Sequence, residues 1–171
     1  MKKVLVIGSG GAGKSTFARR LGHRLGLPVI HLDRAYWRAG WVEPPKDVWR
    51  RQVEEMCAQD SWVMDGNYSG TLDVRLAACD AVVFLDLPRT VCTLRVIKRS
   101  LKYRNASRPD MGEGCREQLN KEFLLFLHWV WSYPRRSRPK VLAQLEELAG
   151  AKRIHRLRSS AEVEKFLETV R

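Results

Sequence analysis

The chain alternates between short apolar runs and longer stretches in which apolar side chains recur every three or four positions. The apolar runs lie at 4–7, 27–33, 61–66 and 81–88, and a weaker run that is polar at alternate positions lies at 151–157. Runs of this length are typical of buried strands, and the periodic stretches between them are typical of helices. The alternation predicts an α/β fold, with a parallel sheet wrapped by helices and right-handed crossovers.

Helical periodicity also predicts which side chains of the later segments face the core. They are Trp49, Val53 and Met56 in a helix that begins near Pro45; Leu94, Ile97 and Leu101 in a helix capped by Thr90; and Leu119, Phe123, Phe126 or Leu127, Val130 and Tyr133 in a buried helix that includes 122–133. The loop-like segment 33–41, by contrast, is aromatic, basic and glycine-bearing.

Length and composition fit one globular domain. The chain has 171 residues, of which 44% are hydrophobic and 29% are charged, and this is enough for a sizeable core. No apolar run approaches the roughly 18 residues that a membrane span needs. The four cysteines form no C-x-x-C motif and no zinc-like spacing with the four histidines, which favours a reducing, cytoplasmic compartment. A formal charge of +12 indicates an anionic partner or substrate.

The first strong motif follows the first apolar run. The sequence GSGGAGKS, residues 8–15, matches G-x-x-x-x-G-K-[ST], and a strand before it with a helix after it is the context of a P-loop. In such loops backbone N–H groups and the lysine bind phosphates, while the serine hydroxyl binds Mg²⁺. We therefore expect ATP and Mg²⁺ as ligands, with Lys14 on the β- and γ-phosphates and Ser15 on the metal. The expected nucleotide-binding residues are Gly8, Ser9, Gly10, Gly11, Ala12, Gly13, Lys14, Ser15 and Thr16.

Three aspartates, Asp33, Asp65 and Asp86, each close a predicted strand. An aspartate in this place is often only a turn former or a helix cap. Ligands of parallel sheets, however, collect at the carboxyl ends of strands. The segments that follow Asp33 and Asp65 are better suited to holding a ligand than to turning tightly, so both interpretations stay open.

Several stretches together resemble one family of P-loop proteins. They are IGSGGAGKST, PVIHLD, GW at 40–41, DGNYSGTLDVRL, VVFLDLPR, KRSLKYRNASRPDMGEGC and RPK at 138–140. With them the chain is similar to the adenylate-kinase-like P-loop kinases, and more closely it resembles the bacterial DNA topology modulation proteins (FlaR-like). The resemblance runs from residue 4 to about residue 140.

The resemblance implies a three-layer P-loop fold of the nucleoside-monophosphate-kinase type, with a five-stranded parallel sheet in the order 2-3-1-4-5. In that order the third strand lies beside the P-loop strand, so Asp65 corresponds to an acid that helps to hold Mg²⁺ through water. Asp33 matches the place where related small-molecule kinases bind their phosphate acceptor. Adenylate kinases carry a DGFPR-type motif where this chain has DGNYS, so an arginine is missing at that spacing. Arg75 is a candidate to replace it.

The basic stretch 98–108 allows three interpretations. It is a solvated helix face, a surface that binds nucleic-acid phosphates, or a short lid that closes over a nucleotide. A basic helix, a loop and a second helix after the fourth strand favour the lid, over about 98–115. The candidate lid arginines are Arg99, Arg104 and Arg108. Two further basic segments, 133–140 and 152–158, predict weak, salt-dependent DNA binding without sequence-specific readout.

The acceptor segment is expected over about 33–60. Trp37 and Trp41 with nearby arginines either clamp a ligand or pack a small subdomain, and Tyr68 presents the same choice. The candidate acceptor-binding residues are Asp33, Trp37, Arg38, Gly66, Asn67, Tyr68 and Arg75. His31 falls inside a strand and is expected to be a core residue.

The sequence therefore favours a single domain, 1–171, that transfers the γ-phosphoryl group of ATP to a small, nucleotide-like acceptor. The catalytic residues would be Lys14, Asp65 and the lid arginines. One alternative is a DNA-associated ATPase that influences DNA topology, and another is a nucleotide-binding protein with negligible turnover. The sequence determines neither the acceptor nor the oligomeric state.

Overall fold

The structure is a computed structural model that describes residues 1–104, 106, 111, 114–115 and 118–170. Its strands are β1 (Lys3–Gly8), β2 (Val29–His31), β3 (Trp62–Asp65), β4 (Ala81–Leu85) and β5 (Arg153–Leu157). They form one sheet in the order β2-β3-β1-β4-β5, and every neighbouring pair is parallel. The predicted fold class and strand order are confirmed.

Helices connect the strands and cover the sheet. They are α1 (Lys14–Leu25), α2 (Leu32–Tyr36), α3 (Lys46–Ala58), α4 (Leu72–Ala78), α5 (Arg89–Lys102), α6 (Lys121–Arg136), α7 (Arg138–Glu147) and α8 (Ser160–Thr169). A single 3-10 turn, Ser69–Thr71, precedes α4. In the described part of the chain, no helix combines the length and the apolar character that a membrane crossing requires.

The sheet separates two hydrophobic cores, which makes the fold three-layered. In β1 the side chains of Val4 and Val6 enter one core, while those of Leu5 and Ile7 enter the other. Helices α1, α5 and α8 contribute to the first core, and α3, α4 and α7 contribute to the second. Because both faces are covered, the central strands are apolar without alternation, and all five residues of β4 are buried.

The register of the sheet brings three strand ends together. Val6 of β1 pairs with Asp65 of β3, and Asp65 pairs with His31 of β2. β1 ends at Gly8, and the glycine loop leads from there into α1. The P-loop and the predicted site residues of β2 and β3 therefore lie at one edge of the sheet, as ligand-binding residues of parallel sheets do.

The prediction of which face of α5 packs inward is wrong. Leu94 and Leu101 are each 58% exposed, and the buried residues of this helix are Cys92, Val96 and Ser100. The reason is the close approach of α5 to the P-loop, which only short side chains allow. Periodicity shows a helix, but it does not show which face lies against a loop.

Segment 33–41 and the end of the aromatic helix also differ from the predictions. The segment is not all loop, because its first residues, from Asp33 to Tyr36, belong to α2. Leu119 lies before α6 and is 45% exposed, whereas Val130 and Tyr133 are buried, as expected.

Candidate active site

The P-loop passes so close to α5 that one of its positions requires glycine. A Cβ atom on Gly11 would lie 2.2 Å from the carbonyl oxygen of Cys92, and Gly11 has a φ of +76°. Both the contact and the backbone conformation exclude other residues. At this position the loop therefore exposes main chain and no side chain. Phosphate binding by backbone N–H groups requires such an exposed main chain.

Lys14 begins α1 and lies in the middle of the site. Its Nζ donates a hydrogen bond of 3.0 Å to the carbonyl oxygen of Ser9. Burial lowers the pKa of Lys14, while the charges of Asp33 and Asp65 raise it. The ammonium group therefore lies in a desolvated position with carboxylates nearby, where a bound phosphate would be its natural partner.

The donor groups of the loop fit a magnesium nucleotide. The Ser9 hydroxyl is buried and has no hydrogen-bond partner among the described residues. Gly13 caps α1 without a side-chain hydrogen bond, and the first turn of α1 has no acidic residue, so the helix N-terminus favours an anion. Ser15 lines the adjacent cavity with its hydroxyl. No cluster of three metal-binding side chains occurs in the described ranges, but Mg²⁺ typically keeps several waters and binds phosphates with few protein ligands.

Asp65 is held by a histidine. Its side chain is 5% exposed and pairs with His31, with 2.5 Å between Nδ1 and Oδ1. It is not among the side chains that line the cavity. His31, which the sequence suggested as a core residue, is half-buried and lies against this carboxylate. Their adjacency comes from the pairing of β2 with β3, which sequence spacing does not show.

A cavity of about 1080 Å³ opens beside the P-loop. It is lined by the P-loop, by segments 33–43 and 66–68, by α5 and by the first half of α6. The predicted site residues on its wall are Gly10, Gly11, Gly13, Lys14, Ser15, Thr16, Asp33, Trp37, Gly66, Asn67, Tyr68 and Arg99. The structure thus brings the predicted phosphate-binding and acceptor-binding groups to one space.

Two polar contacts organise the middle of this cavity. The Tyr68 hydroxyl donates a hydrogen bond of 2.7 Å to the carboxylate of Asp33. The side-chain oxygen of Asn67 accepts a hydrogen bond of 3.1 Å from the backbone N–H of Gly8. Asp33 is thereby held in place, and the loop after β3 is joined to the start of the P-loop.

Aromatic rings form the wall behind Asp33. The ring of Tyr36 lies 4.9 Å from that of Trp37 and 4.5 Å from that of Tyr68. Trp37 and Trp41 meet edge to face at 5.4 Å. Trp37 and Trp41 therefore pack on one another, as one interpretation expected, and they also line the cavity.

The structure places Arg75 differently from the sequence prediction. Arg75 is 0% exposed and does not line the cavity. Its guanidinium donates hydrogen bonds of 2.7–3.2 Å to the carbonyl oxygens of Gly66, Asn67, Tyr68 and Thr71. Arg75 therefore shapes the 66–71 loop and cannot reach an acceptor.

The remaining predicted arginines differ in their position relative to the cavity. Arg38 and Arg104 are exposed and are not among the lining residues. Arg108 lies outside the described residues. Arg99 is the predicted lid arginine that lines the cavity, and its charge lowers the pKa of Lys14.

Sequence reasoning missed Arg95 as a site residue. Arg95 lines the cavity one helical turn before Arg99. Its guanidinium donates hydrogen bonds of 3.5 Å to the carbonyl oxygen of Ala12 and 3.0 Å to the hydroxyl of Ser160. The lining also includes Trp41, Glu43, Glu122, Phe123 and Phe126. Helical periodicity predicted Phe123 and Phe126 of α6 only as core residues.

The end of the predicted lid contacts the acceptor segment. The carbonyl oxygen of Gly114 accepts a hydrogen bond of 3.4 Å from the N–H of Gly40, and the thiol of Cys115 donates one of 3.2 Å to the carbonyl oxygen of Arg38. Met111 and Gly114 line the cavity. The described end of the predicted lid and the acceptor segment therefore contact one another at the cavity wall.

Three cations of the two later basic segments, Arg138, Lys152 and Arg156, make internal contacts. Asp86 binds the guanidinium groups of Arg138 and Arg156, at 2.8 Å and 2.7 Å. Lys152 donates hydrogen bonds to the carbonyl oxygens of Ala77 and Cys79. Asp86, which follows β4, therefore forms ion pairs with two arginines. These three cations contribute to the stability of the fold.

No protein-family model matches the chain, and no curated protein sequence matches it. Among solved structures, the chain is similar to an unliganded sugar kinase from Janibacter sp. HTCC2649, with 19% sequence identity and a TM-score of 0.53. The similarity covers 98% of this chain and 93% of that one. The chain has a kinase-like fold. The sequence comparisons give no support to the resemblance to the DNA topology modulation family, and the sugar kinase at this identity is informative about the fold alone.

Proposed function

We propose that the protein is an ATP-dependent phosphotransferase that acts on a small molecule. The observation that carries the proposal is that one cavity is lined both by the P-loop lysine and by the hydrogen-bonded pair Asp33 and Tyr68. A phosphoryl donor and an acceptor bound there would meet between Lys14 and Asp33. The kinase-like fold agrees with this arrangement.

In the proposed reaction, the loop N–H groups and Lys14 bind the β- and γ-phosphates. Ser15 would hold Mg²⁺ directly, and Asp65 would hold it through water, fixed in orientation by His31. When bound, Mg²⁺ neutralises charge on the two phosphates. Arg99 supplies a further cation beside Lys14, where charge develops during transfer.

Asp33 orients the hydroxyl group of the acceptor and accepts its proton. The acceptor oxygen forms a bond to the γ-phosphorus while the bond from that phosphorus to the bridging oxygen breaks, and the electron pair leaves with ADP. The hydrogen bond from Tyr68 holds the carboxylate of Asp33 in place before transfer. Positioning and charge supply most of the rate in such reactions.

We propose a single domain, with the acceptor segment at about 33–60 and the lid at about 98–115. The two contacts that join Gly114 and Cys115 to segment 38–40 support the lid. We propose Arg104 and Arg108 as lid arginines, which would approach the nucleotide when it is bound. The cytoplasm is the proposed compartment.

The test is ATP turnover with identification of the product. ADP release from MgATP would be measured with panels of small hydroxylated metabolites and nucleotides, and products would be identified by mass spectrometry. Lys14→Ala should lower turnover by at least about a hundredfold, while Lys165→Ala, on the exposed face of α8, should leave it unchanged. If only duplex DNA stimulates turnover and no acceptor gains a phosphate, the phosphotransferase proposal is wrong.

A further inference from the structure

One arginine holds the loop after β3 by its main chain. The guanidinium of Arg75 donates hydrogen bonds of 2.9 Å to the carbonyl oxygens of Gly66 and Asn67, and one of 2.7 Å to that of Tyr68. Because a guanidinium is planar and rigid, these three consecutive carbonyl groups are fixed relative to α4. The backbone from which the side chains of Asn67 and Tyr68 project is therefore held in one position.

Those two side chains join the loop to two other parts of the site. The Tyr68 hydroxyl donates a hydrogen bond of 2.7 Å to Asp33 of the acceptor segment. The side-chain oxygen of Asn67 accepts one of 3.1 Å from the N–H of Gly8, where the P-loop begins. Asn67 therefore lies between the acceptor segment and the P-loop. In the proposed reaction, the γ-phosphoryl group is transferred between these two parts.

The contact with Gly8 determines the orientation of the Asn67 amide. A backbone N–H can only donate, so the side-chain atom that faces it has to be the oxygen. The amide nitrogen, with two N–H donors, is then the other end of the same planar group. Within the described ranges, this nitrogen makes no hydrogen bond. Since Asn67 lines the cavity, both donors are available to a ligand.

The chemistry of the reacting groups indicates which ligand atom suits this nitrogen. An amide nitrogen donates and does not accept, so its partner has to offer a lone pair. The hydroxyl of the phosphate acceptor is a poor partner, because its lone pair has to attack phosphorus. The oxygens of the γ-phosphoryl group are negatively charged, and hydrogen bonds to charged oxygens are stronger than those to neutral ones.

We infer that Asn67 is a further catalytic residue, whose side-chain amide donates a hydrogen bond to a non-bridging oxygen of the γ-phosphoryl group. The inference rests on the proposed phosphotransferase function and adds a residue to it. Gly8 holds the amide oxygen and Arg75 holds the backbone, so the donor is oriented before the nucleotide binds. Such a donor needs no reorganisation when charge develops during transfer. The sequence had suggested a contact between Asn67 and the phosphate acceptor instead.

The test compares two nucleotides that differ at the γ-phosphoryl group. Calorimetric titrations measure the Kd of MgADP and the Kd of the magnesium complex of adenylyl imidodiphosphate, a non-hydrolysable ATP analogue. Asn67→Asp keeps an oxygen for the N–H of Gly8 but replaces the amide donors by a carboxylate oxygen. We expect the Kd of the ATP analogue to rise at least about tenfold, as for one lost hydrogen bond to a charged group. The Kd of MgADP should change by less than about twofold.

A neutral variant separates the loss of the donor from the added charge. Asn67→Leu is similar in size and has neither the donor nor the oxygen, so both Kd values should rise. The ratio of the Kd of the ATP analogue to that of MgADP should still increase at least about fivefold. Gln144→Glu, on the exposed face of α7, adds the same charge elsewhere and should leave both Kd values unchanged. Asn67→Ala replaces the leucine variant if the latter does not fold.

An increase of this ratio by less than about fivefold in either kind of variant overturns the inference. Equal weakening of both nucleotides in the neutral variant would mean that Asn67 only supports the P-loop. A change of the ratio in Asn67→Asp alone would mean that the added carboxylate repels the γ-phosphate without any native contact. The phosphotransferase function stands in both cases. If the natural protein binds neither nucleotide, that function itself is overturned.

Discussion

Replacement of Arg75 by methionine tests how the site is held. Methionine fills most of the buried volume but removes every hydrogen bond of the guanidinium. The carbonyl oxygens of Gly66 and Asn67 then lose their only hydrogen bond from a described residue. That of Tyr68 keeps the N–H and the hydroxyl of Thr71 as donors.

The magnitude follows from this difference between carbonyls. A buried carbonyl without a donor costs about 1–3 kcal/mol. The contact of Gly66 is buried and that of Asn67 is partly buried, so the two orphaned groups together cost about 2–5 kcal/mol. Part is recovered because the variant no longer buries a charge, whose desolvation lowers the pKa of Arg75 to about 10. We expect the free energy of unfolding to fall by about 2–4 kcal/mol, and the melting temperature to fall by about 5–15 °C.

Urea denaturation followed by tryptophan fluorescence measures the change. Arg19→Met on the exposed face of α1 is the matched control and should stay within about 0.5 kcal/mol of the natural protein. Arg75→Lys keeps the charge but not the fork of donors, and its free energy of unfolding should fall by about half as much as that of Arg75→Met. The lysine variant also provides the measurement if the methionine variant does not fold. An Arg75→Met protein within about 1 kcal/mol of the control would refute the reasoning.

Three further changes test other parts of the molecule. Asp33→Asn should lower kcat for the acceptor about 10²–10⁴-fold while the Kd of an ATP analogue stays within about threefold; a proportionate loss of both would contradict the assigned role. Gly11→Ala places a Cβ 2.2 Å from the carbonyl of Cys92 and should abolish nucleotide binding in a calorimetric titration, whereas Gly70→Ala meets no atom within 4 Å and should bind normally. Burial, and then the charge of Arg153, lower the pKa of His155; the unfolded chain therefore binds the proton first, and stability contributed by neutral His155 is lost as pH falls below about 6.5. His155→Phe should reduce the loss of stability between pH 7 and pH 5 in urea titrations, and an unchanged slope would count against this origin.

Local features of the sequence predicted much of the fold. The P-loop was predictable because its glycines, its lysine and its serine lie within eight consecutive residues, although the steric limit at Gly11 is set by Cys92 of α5. Strand positions were predictable because both faces of a parallel sheet are buried, so the runs are continuously apolar. The strand order came from the resemblance and is confirmed in the structure.

Contacts between distant elements were harder to predict. The face of α5 that packs inward carries Cys92 and Val96, because the P-loop leaves room only for short side chains, and no periodicity reveals this. Arg75 looked like a ligand-binding arginine until its neighbours were known. Glu43 and Arg95 gave no signal, since a charged residue on a loop or a helix is usually solvated.

The sequence by itself determined that this protein has a glycine-rich loop between a strand and a helix on a parallel α/β sheet, because those features depend on residues that are neighbours in the chain. Only the tertiary structure decided which charges share the cavity. It placed Arg75 in the protein interior, set His31 against Asp65, and brought Asp33 and Glu43 to the cavity that Lys14 also lines. Electrostatic interactions depend on distance in space and on burial, and both are properties of the folded chain.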